Sequence, residues 1–69
     1  MKISARNQWQ GKVTKVVRGP VSTEVTLTIA SGVEVVAVIS TTSADALALA
    51  PGKAATAMVK ASSMLVATD

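Results

Sequence analysis

The stretch Val33 to Ile39 is apolar on both faces of an extended chain, and this limits what these 69 residues can fold into more than any other feature. Successive side chains of a strand point to opposite faces. Val33, Val35, Ala37 and Ile39 therefore fall on one side and Val36 and Val38 on the other. Such a strand needs cover twice. A chain of 69 residues buries only about 60% of its unfolded surface around one small core. One face of the strand can pack on that core, and the other is expected against a second subunit.

The composition points the same way. There is no cysteine for a disulfide and no histidine for a zinc or haem staple. With 49% hydrophobic residues but no Phe, no Tyr and a single Trp, the apolar surface is mostly Val and Ala, which suits strands packed closely on strands. Oligomerisation is the route left for supplementing a marginal core. Residues 1–69 are expected to form one domain. No apolar run approaches the roughly 18 residues of a membrane span, and Met1-Lys2-Ile3-Ser4 lacks the apolar stretch of a signal peptide. The expectation is a cytoplasmic protein with no membrane partner.

Taken in order, Gln8 to Arg18 sets Trp9, Gly11 and Val13 against Gln8, Gln10, Lys12 and Thr14, and the alternation slips at Lys15-Val16. Such a slip marks a β-bulge, which bends a long strand into two sheet surfaces. Gly19-Pro20 stops the ladder. From Thr23 to Ile29 the alternation is clean, with Val25, Leu27 and Ile29 inward and Glu24, Thr26 and Thr28 outward. Ala30-Ser31-Gly32 turns the chain into the doubly apolar return strand. Ser40-Thr41-Thr42-Ser43 then precedes Ala44 to Ala50, whose Ala and Leu content predicts a short helix capped by a Ser or Thr, with Asp45 in its first turn. Pro51-Gly52 is expected to end it. Lys53 to Lys60 alternates again, and Met64 to Thr68 is expected to be a fifth strand. Three strands, a short helix and two strands describe an all-β, OB-like five-stranded Greek-key barrel.

The chemistry available is narrow. Without His or Cys the usual general base, thiol nucleophile and soft metal ligands are missing. Spacing brings no two of Glu24, Glu34, Asp45 and Asp69 together for acid-base work, so no catalytic residue and no direct metal ligand is expected. The net charge of +3 admits an anionic partner. Lys2, Lys12, Lys15 and Lys53 read as solvating lysines. Single-stranded nucleic acid is bound on aromatic platforms beside a basic groove. Here Trp9 stands alone and shares its face with Gly11 and Val13, so it reads as a packed residue. Phosphate loops of the glycine-rich kind are absent, because Gly11, Gly19, Gly32 and Gly52 are scattered.

Three segments hold donors and no acid: Ser4 to Asn7, Ser40 to Ser43 and Lys60 to Ser63. A buried tetrahedral dianion needs opposite charge and many hydrogen-bond donors, with no carboxylate competing nearby. Arg6 offers a planar fork, Lys60 a point charge, and Ser4, Ser40, Ser43, Ser62 and Ser63 hydroxyls. Each has a plainer reading: Arg6 as a surface cation, Ser40 and Ser43 as helix caps, Lys60 as a charge guarding a sheet edge. On the residues alone, three readings stand: an oxyanion binder, an OB-type single-stranded nucleic-acid module, and a purely structural oligomerisation domain.

Ser4-Ala5-Arg6-Asn7-Gln8, Gly11-Lys12-Val13, the stretch Gly19 to Val25, Ile39-Ser40-Thr41-Thr42-Ser43, Leu49-Ala50-Pro51-Gly52 and Val59-Lys60-Ala61 occur in that order. Together they resemble the molbindin family, the small molybdate-binding Mop proteins whose domain also occurs in molybdenum-responsive regulators and transporter ATPases. The resemblance runs essentially end to end. It implies an OB-like barrel assembled as a homohexamer, a trimer of dimers with strands exchanged between subunits. It also implies molybdate, or tungstate, bound as an oxyanion between subunits for storage and homeostasis. Carried over residue by residue, Ser4, Arg6, Lys60 and the backbone of Ala61 form one side of a site and Ser40 and Ser43 of a neighbour the other, with Ala5, Asn7 and Ser62 as lesser candidates. Many relatives have a hydroxyl residue after the lysine; here Ala61 stands there and Ser62 follows. A second site near the threefold axis would fall around Gly19 to Ser22, where Pro20 has no N–H and Ser22 is the candidate donor.

Overall fold

β1 (Asn7–Arg18), 12 residues long, pairs antiparallel with a different strand on each side, and that sharing shapes the molecule. In the computed structural model, which describes Met1 to Asp69 apart from the side chain of Ser31, it is followed by β2 (Ser22–Ile29), β3 (Glu34–Ser40), the helix α1 (Thr41–Ala46) and β4 (Ala54–Val59). The strands form one sheet in the order β3-β2-β1-β4. β1 pairs with β4 over Asn7 to Lys12 and with β2 over Gly11 to Arg18.

The expected bulge is present. Val13 pairs with Leu27 and Lys15 with Thr26, leaving Thr14 without a partner across the ladder. An extra residue bends its strand and increases the twist, so β1 can serve two surfaces. The turn before β4 is tied in at the same point, with Val13 N–H donating to Lys53 O at 2.9 Å and Gly52 N–H donating to Val13 O at 2.8 Å. The sheet curls around Val13, Val25 and Leu27, the buried apolar cluster, with Val16, Val35, Ile39, Leu49, Ala55 and Ala57 packed against it. β3 alternates as its sequence predicts from Val35 on: Val35, Ala37 and Ile39 are half-buried, while Val36 and Val38 keep 61% and 68% of their surface exposed; Val33, expected on the inner face, precedes the strand and is exposed.

Several expectations are corrected. The helix begins at Thr41, not Ala44, because the Ser40 side chain accepts a hydrogen bond from Ser43 N–H and so caps it three residues earlier. Asp45 therefore lies past the first turn, and pairs with Arg18 at 2.7 Å instead. The helix also ends earlier than Pro51-Gly52. Ala48 N–H donates to Asp45 O at 3.0 Å and Leu49 N–H donates to Ala44 O at 3.1 Å, the paired bonds of a Schellman ending, with Ala48 in the left-handed region at φ 53°. Lys53 Nζ caps the exposed carbonyl of Leu47.

Thr26, placed outward by alternation, is buried; it sits in an inner strand, with Lys15 and Val36 as its partners across the sheet. The five-stranded barrel is a four-stranded curled sheet in this chain. Met64 to Thr68 does not form a fifth strand: after a 3-10 turn at Ala61–Ser63 these residues join no sheet, and Leu65 and Val66 are 92% and 93% exposed. The concave face consequently stays open as an apolar groove of about 450 Å³ lined by Trp9, Val13, Val25, Leu27, Ile39 and Met64 among others.

Candidate functional site

At one end of the sheet the β1–β4 ladder runs out. Its last pair is Asn7 with Val59, so the next residue outward on each strand is Arg6 and Lys60. Beyond them come Ala5 and Ser4 on one side and Ala61 and Ser62 on the other. The two chain segments line a common groove made by Ile3, Ser4, Ala5, Arg6, Met58, Lys60, Ala61 and Ser62. Two of the three donor segments found in the sequence thus meet, and they meet because an antiparallel pairing brings the start of β1 to the end of β4.

The electrostatics of this groove are one-signed. Arg6 and Lys60 are exposed, and among the described residues neither enters an ion pair; the salt bridge present is Arg18 with Asp45. Like charges set side by side across strands are unfavourable without a counter-charge. The local backbone is pinned at its rim, where Gln8 Nε2 donates to Ala5 O at 2.9 Å. At the other rim Ser63 N–H donates to Lys60 O at 2.8 Å, closing the 3-10 turn that carries Ala61 and Ser62. Ile3 and Met58, which lie outside the donor inventory of the sequence, supply apolar walls. The alternation of β4 could have revealed Met58, which shares a face with Lys60.

The third donor segment lies elsewhere. Ser40 ends β3, the opposite edge strand of the sheet, and pairs in register with Ser22 on β2. Within the chain Ser40 Oγ accepts from Ser43 N–H at 3.0 Å and donates to Ser43 Oγ at 2.8 Å, so the cap reading holds and the hydroxyls form a pair. Ser22 stands beside them at the start of β2. Neither Ser40, Ser43 nor Ser22 lines the Arg6–Lys60 groove. Asn7 belongs to the ladder itself. No group of three or more His, Cys, Asp or Glu residues able to hold a metal ion occurs among the described residues.

This fold has counterparts. A family model described as the TOBE domain matches residues 3–66. Molybdenum-pterin-binding protein 3 of Clostridium pasteurianum is 42% identical over 66 residues, 96% of this chain and 97% of that protein. The chain belongs to the TOBE domain family, in its Mop-type branch. A solved structure of a molybdate-binding protein from Sporomusa ovata superposes on this TOBE domain with a TM-score of 0.91 and 40% identity, covering 99% of this chain and 100% of that one. The domain is also 46% identical to the molybdenum transport protein ModE of Herbaspirillum seropedicae over all 69 residues, but these make up 26% of that longer protein. It likewise spans about a quarter of other curated relatives, such as ModE of Azotobacter vinelandii at 25%. No helix of the described residues is long and apolar enough to cross a membrane.

Proposed function

We propose that this TOBE domain, residues 1–69, binds molybdate reversibly as an oxyanion and serves its storage and homeostasis in the cytoplasm, without catalysing a reaction. The observation that carries this reading is the placement of Arg6 next to Lys60, beside Ser4 and Ser62, in a groove no carboxylate lines. Two adjacent cations with hydroxyl donors suit a tetrahedral dianion, which accepts hydrogen bonds and donates none. Arg6 supplies a fork, Lys60 a point charge, Ser4 a directional hydroxyl, and the backbone at Ala61 an amide. Tungstate, of the same charge and shape, should fit as well.

The site is half of a clamp. Ser40 and Ser43, at the opposite sheet edge, would close it from a neighbouring subunit. Support comes from the surfaces left uncovered in the isolated chain: the outer valines of β3, the open concave groove and the apolar residues 64–68. In the proposed hexamer, a trimer of dimers, residues 64–68 of one subunit pair with a sheet edge of the next and complete a five-stranded barrel. Burial between subunits then excludes the water that competes with the hydroxyls, and molybdate stabilises the oligomer by mass action.

Isothermal titration of the assembled protein with molybdate tests the reading. Saturable heat whose affinity Arg6→Ala weakens supports it; no heat from the intact oligomer ends it. An assembly domain without a ligand would leave the melting temperature indifferent to molybdate, tungstate and sulfate alike.

A further inference from the structure

Buried polar side chains that do not touch the groove are concentrated at the other candidate segment. Thr23 is 0% and Thr41 8% exposed, and their hydroxyl oxygens lie 2.7 Å apart. Thr41 Oγ1 also lies 2.7 Å from the carbonyl oxygen of Gly19. A carbonyl only accepts, so Thr41 uses its one hydroxyl proton on Gly19, and the bond to Thr23 must run from Thr23 to Thr41. The direction of the relay is thereby fixed: Thr23 to Thr41 to Gly19.

Thr41 grips the same turn with its backbone, donating N–H to Val21 O at 2.8 Å, while Gly19 N–H donates to Ser22 O at 3.0 Å. The residue before Thr41 is Ser40, which pairs in register with Ser22 and bonds Ser43. A helix of 6 residues is too short to hold its own shape in water. Its position, and that of the exposed Ser40 and Ser43 hydroxyls, must come from tertiary contacts; Thr41 and Ala44 are its buried residues, and Thr41 is the one held by side-chain hydrogen bonds.

We propose that Thr41 is a positioning residue for oxyanion binding: the buried Thr23–Thr41–Gly19 relay locks the Ser40–Ser43 hydroxyl pair to the Ser22 turn in one geometry. The inference rests on the oxyanion reading above and adds to it an order among the serines. Ser40 commits its proton to Ser43, so Ser43 Oγ keeps the proton that can face an anion, and Ser40 orients it. Thr41 in turn holds Ser40.

The test compares Thr41→Val, which swaps the hydroxyl for a methyl of similar size, with Thr41→Ser, which keeps the relay. In the full protein, Thr41→Val is expected to weaken molybdate binding on the order of tenfold and to speed exchange of the Ser43 amide, whereas Thr41→Ser stays within about twofold of the original affinity. A role confined to stability would lower the melting temperature of Thr41→Val and leave affinity and Ser43 exchange unchanged, which overturns the proposal. Should Thr41→Val not fold, Thr23→Val, which leaves the bond to Gly19 in place, is expected to move both readouts in the same direction by less; no movement overturns it. If the unaltered protein binds no molybdate, the oxyanion reading fails. The exchange of Ser43 in the anion-free variants then decides alone whether Thr41 positions the serine pair.

Discussion

Arg6 and Lys60 leave the β1–β4 ladder side by side, each one residue beyond the closing pair of Asn7 and Val59. The two cations stand in neighbouring positions with no carboxylate partner among the described residues. This placement is set by pairing register, so it survives changes in either side chain. The charges can therefore be removed singly without dismantling what holds them.

Arg6→Ala and Lys60→Ala should each weaken molybdate binding by about tenfold to a hundredfold, since a hydrogen bond to a charged group contributes about 1.5–3 kcal/mol and 1.4 kcal/mol is tenfold. Stability of the anion-free protein should stay within about 0.5 kcal/mol, because removing one of two like charges at an exposed site costs nothing. Titration calorimetry and denaturant unfolding read the two effects separately. Arg6→Lys should recover only part of the affinity, as an ammonium cannot reproduce the planar fork.

The helix ending carries a second prediction. Ala48 occupies the left-handed position that glycine usually fills in a Schellman ending. An L-residue there carries a cost of about 1–2 kcal/mol, while glycine carries a smaller entropic one of about 0.5–1 kcal/mol. Ala48→Gly should thus stabilise the protein by about 0.5–1 kcal/mol and raise its melting temperature by about 2–8 °C. Differential scanning calorimetry checks it; a lower melting temperature would contradict the strain.

These residues also show what the sequence could and could not reveal. Four of the five expected strands and the turn at Gly19 are legible because alternation is a local pattern, and the slip read at Lys15-Val16 falls one residue after the bulged Thr14. The helix ending was not, because its usual signal is a glycine and an alanine stands in its place. Likewise the position of Asp45 in the chain suggests a dipole partner, whereas Arg18, 27 residues away, claims it. The meeting of Arg6 and Lys60 follows from a register that no single segment states; in the sequence it rested on the resemblance. The buried Thr23–Thr41 pair gave no signal, since Thr41 lies among four consecutive hydroxyl residues that all look like caps.

Gly11 tests the close approach of the two strands it joins. It pairs with Ile29 on one side and Ala55 on the other, and a Cβ there would sit 2.4 Å from Thr28 O and 3.0 Å from Thr28 C. That neighbour is backbone in the middle of the sheet and cannot swing aside. Gly11→Ala should destabilise by about 1–3 kcal/mol, with amide exchange rising first along the pairing of Gly11 to Val13 with Leu27 to Ile29. Gly32→Ala, at φ 77° with nothing within 4 Å of the added carbon, should cost only the backbone strain of about 1 kcal/mol and leave that ladder protected.

The outer face of β3 decides whether the clamp closes between subunits. Val36 and Val38 stand 61% and 68% exposed, on a strand whose other face already packs on the core. In water these valines gain nothing from their position, and covering them in an assembly removes apolar surface at about 25 cal/mol per Å². A lysine at Val38 would put a charge into that interface while leaving the chain's own core untouched. Val38→Lys should therefore keep the far-ultraviolet circular dichroism of the folded domain yet sediment as a smaller species, because an unpaired buried charge is costly. Its affinity for molybdate should fall together with its assembly if, as proposed, the Ser40–Ser43 pair of a neighbour closes the site on Arg6 and Lys60. If Val38→Lys assembles and binds as before, the outer valines are not the covered face; if it falls apart but binds undiminished, the site does not span subunits.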